Sequence, residues 1–322
     1  MQSIQVAILG ATGLVGQKLI AMIADDPLID LVEVAASEKN VGKTYGEAVV
    51  WKEVRELPKK TSELIIKPLT EVTAPFVLSA LPAKVAEGVE FLLAERGQHL
   101  FSNASYHRMK ENIPLLIPEI NKDHLSLIKK QKTKGKIITN PNCATTIIAL
   151  ALHPLLSLGK VKHVSVVTMQ AMSGAGYPGL SSLDMAGNIL PFIQGEEEKI
   201  ESETRKILGT AKELAPFHLT AHAYRVPIPH GHTATLHVGF DAPICIDEIQ
   251  HLYQKEPYQY YQSQRDPQPG RHISPYDQRV HIGRIKQGNE KNIVGLTSMG
   301  HNLVRGAAGA TLLNLKAALE VL

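Results

Sequence analysis

One stretch near the start restricts the fold more than any other: "IQVAILGATGLVGQKLIAMIADDPLIDLVEVAAS", residues 4–37. It opens with the apolar, β-branched run Ile4–Leu9, as a buried parallel strand does. The run breaks at a glycine turn, resumes with apolar residues at helical spacing as far as Pro27, and returns to a second apolar run. Strand, glycine turn, helix and strand in about 35 residues make a βαβ unit. In the turn, Gly10 and Gly13 let the backbone approach a pyrophosphate, and Gly16 lets the helix pack against the sheet. The helix N-terminus adds free N–H groups and a positive dipole end. The spacing therefore predicts a dinucleotide site, with a plain tight turn as the alternative.

The end of the second strand bears on which dinucleotide. An NAD site places a carboxylate there for the ribose 2′-hydroxyl. This chain has Ser37, with Lys39 and Lys43 following, a set that suits a 2′-phosphate and favours NADP. Glu38 runs against that reading, and a solvated loop of mixed charge is the alternative. Further strands are expected at "APFVLSALP", "QHLFSNAS" and "GKIIT", with a helix at "AKVAEGVEFLLAERG". Alternating strands and helices predict an α/β fold that begins with a Rossmann-type doubly wound parallel sheet. Loops at the carboxyl ends of its strands, among them Ser79–Pro82 and "SNASYHR", face the ligand crevice.

Bulk composition narrows the function classes. The chain has 322 residues, more than one hydrophobic core usually holds, so two domains are expected. Its 34 basic and 31 acidic residues are spread without a like-charge block, against a nucleic-acid arm or a membrane-surface patch. No 18-residue apolar run suggests a membrane span, and the N-terminus lacks the pattern of a secretory signal. Two cysteines, Cys143 and Cys245, make no disulfide framework, which fits the cytoplasm.

Cys143 stands in "NPNCATTIIALAL", at the start of an apolar helix. The positive end of the helix dipole there favours a thiolate, and its N–H groups favour an oxyanion; a small buried thiol is the alternative. Cys245, in "APICIDEI", reads as core of a strand. A nucleophilic thiol needs a proton partner, and "YRVPIPHGHTATLHV" offers His230, His232 and His237, with Arg225 upstream. The odd spacing puts His232 and His237 on opposite faces of the strand. No thiol or carboxylate cluster accompanies the histidines, so no metal is expected.

The ordered fragments "GATGLVG", "SNASYHRM", "NPNCATT", "MQAMSGAGYPG", "LPFIQGEEEKIESE", "RVPIPHGHT" and "HNLVRGAAGA" cover nearly the whole chain. Together they resemble aspartate-semialdehyde dehydrogenase of the archaeal and fungal-type branch. The resemblance implies NADPH-dependent reductive dephosphorylation of L-aspartyl 4-phosphate to L-aspartate 4-semialdehyde through a cysteine thioester. It implies Cys143 as nucleophile, His232 as acid/base and Gln170 as the residue that orients the acyl group. Arg225 would hold the substrate carboxylate, Arg108 and Lys199 the phosphate, and Glu196 the amino group, with Asn142 also at the substrate. Within the acidic run, Glu197 and Glu198 compete with Glu196 for that role. Cofactor contacts are expected at Gly10, Thr12, Gly13, Leu14, Val15, Ser37, Lys39, Ser79, Ser173, Gly174 and Asn302.

An acidic residue often precedes "GHT" in the family, where this chain has His230. The resemblance also divides the chain into an NADP-binding domain, 1–143 completed by a C-terminal helix 301–322, and an α+β catalytic and dimerisation domain, 144–300. That second domain should carry a mixed sheet, and a homodimer or homotetramer is implied. The final stretch reads as an amphipathic helix. Malonyl-CoA reductase, N-acetyl-glutamyl-phosphate reductase and a non-catalytic NADP-binding regulator are the rival readings.

Overall fold

The computed structural model describes residues 3–322 and falls into two units. The first runs to Pro141 and resumes at Ala307–Leu322; the second is Asn142–Gly306.

In the first unit, β1 (Ile4–Leu9), β2 (Ile29–Ala35), β3 (Ile66–Lys67), β4 (Phe76–Ser79), β5 (His99–Ser102) and β6 (Ile137–Thr139) form one sheet. Its order is β3-β2-β1-β4-β5-β6, and every pairing is parallel. The sequence of β1 shows why both faces are covered. Val6 and Ile8 point into a core with Leu19, Ile20, Leu312 and Leu315, while Ala7 and Leu9 point into another with Val77, Leu93 and Leu100. Helices Leu14–Ile23 and Gly309–Ala318 supply the first of those cores, and helix Ala83–Arg96 the second. The strand order reverses direction beside β1, between β1 and β4, which is where doubly wound sheets bind their ligands.

In the second unit, β7 (Val161–Gln170), β8 (His218–Arg225), β9 (His232–Phe240), β10 (Tyr258–Tyr260), β11 (Val280–Gln287) and β12 (Ile293–Gly300) form a mixed sheet in the order β10-β11-β12-β9-β7-β8. β7 pairs parallel with β8 and antiparallel with β9. The carboxyl ends of β7 and β8 therefore meet the amino end of β9, bringing Gln170, Arg225 and His232 to one end of the sheet. One face is covered: Val164, Val166, Leu219, Ala221 and Ala223 are buried. Their alternating neighbours His163, Ser165, Val167, His218, Thr220 and His222 are exposed in the single chain. Helix Cys143–Leu152, apolar but for Thr145 and Thr146 beyond its leading cysteine, is buried from Ala144 to Leu152. No helix among the described residues is long and apolar enough to cross a membrane.

Two expectations are corrected. Cys245 is exposed and lies in no strand; it is the N-cap of helix Ile246–Leu252, whose first turn carries Asp247 and Glu248. Its apolar neighbours gave a strand-like reading, yet only Ile244 turns inward. The last helix, Gly309–Ala318, is not amphipathic. Eight of its ten residues are buried, because Gly309, Ala310, Ala317 and Ala318 let neighbouring elements approach from nearly every side.

Candidate active site

Cys143 is the first residue of its helix and is half-buried. Asn142 caps that helix: its Oδ1 accepts from the amides of Ala144 and Thr145, at 2.8 and 3.1 Å. Gly306 is required beside the cysteine, because a Cβ there would come within 2.5 Å of the Cys143 Cβ. The sulfur lies 3.1 Å from His232 Nε2.

His232 is fully buried at the start of β9. Its other ring nitrogen, Nδ1, accepts from the Ala171 amide at 3.0 Å. A neutral ring so bonded carries its proton on Nε2, the nitrogen that faces the sulfur. Burial, then the charge of Arg225, then His301, push the His232 pKa down to about 3, so the ring is neutral at pH 7.

Arg225 ends β8, buried to 6% exposure, and donates from Nη1 to the Ala171 carbonyl at 2.8 Å. Burial lowers its pKa, while Cys143 and Glu196 oppose that shift. Ala171 thus fixes both side chains through its backbone alone, a role no residue type advertises in sequence. Gly174 leaves the room they need, since a Cβ there would meet Arg225 Nη1 at 2.6 Å and His232 Cε1 at 3.1 Å.

Within the acidic run, Glu196 is the residue bonded to Asn142 and Gln170. Helix Glu196–Ile207 buries Glu196, Ile200, Glu203, Thr204 and Ile207. Glu196 Oε1 accepts from Asn142 Nδ2 at 2.7 Å and from Gln170 Nε2 at 3.0 Å, and Lys199 Nζ lies 3.5 Å from Oε2. Glu197 instead accepts from the Ala223 amide on β8, and Glu198 is exposed. Glu203 was not singled out by sequence, although a carboxylate in step with Ile200 and Ile207 was the signal. It accepts from the Asn142 amide at 2.6 Å.

Ser173, Asn302 and His230 form a group of their own. Asn302 donates from Nδ2 to Ser173 Oγ at 2.9 Å and accepts from the Gly231 amide at 3.0 Å. His230, exposed, has Nδ1 3.1 Å from the same hydroxyl and its ring 5.3 Å from that of His301.

The first unit holds the remaining expected residues. Gly10 has φ +72°, and a Cβ there would meet the Ala80 carbonyl at 2.7 Å; one at Gly16 would meet the Gly10 carbonyl at 2.4 Å. Helix Leu14–Ile23 starts on Gly13 with no side-chain cap, leaving its first amides without a side-chain acceptor from the N-cap residue. Thr12, Leu14 and Val15 are half-buried around this turn. The loop fits a dinucleotide's phosphates. After β2, Ser37 and Lys39 are exposed, and Glu33, the last acid on that strand, is bonded to Lys67, Thr73 and the Ala74 amide. No carboxylate of β2 is placed for a ribose 2′-hydroxyl. Ser79 is buried, its hydroxyl donating to Glu90 at 2.6 Å. Burial raises the Glu90 pKa to about 7. Arg108 is buried and donates to the Asn103 carbonyl at 2.6 Å.

Together, a thiol facing an imidazole proton, a buried guanidinium and a buried carboxylate can capture an acyl carbon on a charged substrate. Comparison with known proteins agrees. The family description "Semialdehyde dehydrogenase, NAD binding domain" matches residues 5–128, and "Semialdehyde dehydrogenase, dimerisation domain" matches 152–305. An aspartate-semialdehyde dehydrogenase of Archaeoglobus fulgidus is 41% identical, with 96% of each chain covered. A malonyl CoA reductase (NADP) of Metallosphaera sedula is 32% identical over 99% of this chain and 98% of that protein. The crystal structure of aspartate semialdehyde dehydrogenase with NADP from Candida albicans has a TM-score of 0.88 at 28% identity, covering 98% of this chain and 99% of that one.

Proposed function

The chain belongs to the semialdehyde dehydrogenase family, and from that premise we propose that it reduces L-aspartyl 4-phosphate to L-aspartate 4-semialdehyde, releasing phosphate, with NADPH as reductant. The observation that carries this reading is the 3.1 Å approach of Cys143 Sγ to His232 Nε2 at the capped start of a helix. The thiolate of Cys143 attacks the acyl carbon, and phosphate leaves with the electron pair of the carbon–oxygen bond, giving a thioester. NADPH, when bound, supplies the hydride that reduces the acyl carbon. The carbon–sulfur bond then breaks as the aldehyde forms, and its electron pair returns to Cys143. Throughout, His232 Nε2 is the site of proton exchange beside the sulfur and the substrate oxygen.

The charged groups sort by substrate part. Arg225 holds the α-carboxylate, since a planar guanidinium matches that fork. Glu196 faces the ammonium, while Arg108 and Lys199 hold phosphate; Gln170 and Asn142 orient the acyl group. Gly10, Thr12, Gly13, Leu14 and Val15 hold the pyrophosphate, and Ser37 and Lys39 the 2′-phosphate. Ser79, Ser173, Gly174 and Asn302 complete the cofactor contacts. The exposed sheet face of the second unit, in a segment matching a dimerisation domain, supports a homodimer or a pair of dimers. Two cysteines with no disulfide between them support a cytoplasmic protein.

The malonyl-CoA reading rests on a real likeness, and the buried Glu196 argues against it: a carboxylate among these partners suits an amino-acid substrate better than a second carboxylate. Side-by-side rates with aspartate semialdehyde, malonyl-CoA and N-acetylglutamate semialdehyde test the choice. We expect NADP- and phosphate-dependent oxidation of aspartate semialdehyde to exceed the others by at least about 10²-fold, the discrimination a charged, buried contact provides. A faster rate with either rival substrate overturns the assignment.

A further inference from the structure

Helix Glu196–Ile207 carries two buried carboxylates, at 196 and 203, seven residues apart and so on one face. A buried carboxylate needs bonded partners, and both of these reach the same residue. Glu196 Oε1 takes the side-chain amide of Asn142 at 2.7 Å, and Glu203 Oε2 takes its backbone N–H at 2.6 Å. The other groups of Asn142 are engaged within the Cys143 helix. Its Oδ1 accepts from Ala144 and Thr145, and its carbonyl accepts from the Thr146 amide at 2.9 Å and hydroxyl at 3.1 Å. Asn142 is therefore gripped from one helix while it caps another, and the next residue is Cys143.

Glu196 has a part in the proposed chemistry, so its grip on Asn142 cannot be separated from substrate binding. Glu203, 1% exposed, has no part in the proposed chemistry. We propose that Glu203 is a positioning residue of the nucleophile: by holding the Asn142 amide it sets where the Cys143 helix begins, and so holds the sulfur against His232. This rests on Cys143 being the nucleophile, and the test separates the two ideas.

Three variants divide the role. Glu203→Gln keeps an acceptor oxygen at full reach without the charge, Glu203→Asp keeps the charge but falls short by one carbon, and Glu203→Leu keeps neither. Two measurements serve: kcat and KM for aspartate semialdehyde and phosphate, and the rate of Cys143 alkylation by iodoacetamide across pH. We expect Glu203→Leu and Glu203→Asp to lose about tenfold or more in kcat, with both KM values within about twofold, because sub-ångström displacement of a reacting atom acts on the chemical step. Glu203→Gln should stay within about threefold of the parent. Relative to Glu203→Gln, alkylation of Glu203→Leu should need higher pH, as the sulfur loses its imidazole partner. If Glu203→Leu does not fold, the Gln-against-Asp comparison carries the test alone. The proposal is overturned if Asp matches the parent while Gln fails, if the loss falls on KM, or if all variants keep parental kcat and alkylation profiles. A parent enzyme inert toward aspartate semialdehyde refutes the substrate assignment instead, and the alkylation comparison still decides the role of Glu203.

Discussion

Cys143 and Cys245 stand in nearly the same local setting. Cys143 is the first residue of one helix, and Cys245 is the N-cap of another. Both feel a positive dipole end, and the helix after Cys245 even draws Asp247 and Glu248 into its first turn. What separates them is company. Cys143 has His232 at 3.1 Å, a side-chain cap from Asn142, and Arg225 and Glu196 whose charges act at the site. Cys245 has no side-chain cap and opens to solvent. A helix N-terminus therefore does not make a catalytic thiol; the residues that enclose and orient the sulfur do.

The largest effect that can break this contrast is loss of the nucleophile. Cys143→Ser should cut turnover of aspartate semialdehyde by about 10⁴-fold or more while NADP binding persists, and Cys245→Ser should leave turnover unchanged. Steady-state rates and a cofactor titration check both; equal losses would erase the distinction. His232→Asn should lower kcat by about 10²–10⁴-fold with KM nearly kept, the range of acid/base help. Loss confined to a His230→Asn variant would move the role to the exposed ring.

The same histidine gives an effect on stability. Its folded pKa, about 3, lies below the unfolded value near 6.5. Between those values the unfolded chain binds the extra proton, so stability falls as pH drops from about 6.5 toward 3, by at most about 1.4 kcal/mol per pH unit from this group. Urea unfolding at pH 7 and pH 4 should show that loss, and His232→Asn should reduce it. Smallest are the cap changes. Asn142→Ala should cost about 0.5–2 kcal/mol in stability, while Cys245→Asp, which adds a cap acceptor where none exists, should gain about 0.5–1 kcal/mol.

Much of the fold was legible because its signals are local. β1 spans Ile4–Leu9 as its apolar run reads, and Gly10 and Gly16 stand where backbones approach within contact distance. The alternation of β9 puts His232 inside and His237 outside. Cys245 was misread because its apolar neighbours imitate a strand when no capping residue marks the helix start. The final helix was misread because alanine and glycine, weak in any hydrophobic pattern, are the residues that permit burial on all sides. At the candidate site, side chains with distinctive chemistry could be proposed from sequence. Ala171 could not, since it acts through its amide and carbonyl. Glu203 could have been, as a carboxylate between Ile200 and Ile207 on a buried stripe.

Limited iodoacetamide treatment, with residual activity followed against peptide-mapped labelling of each cysteine, tests the nucleophile assignment most directly. Activity should fall in proportion to carboxamidomethylation of Cys143, and aspartate semialdehyde should protect that residue and not Cys245. Full activity in protein labelled at Cys143, or inactivation that follows Cys245, would contradict it.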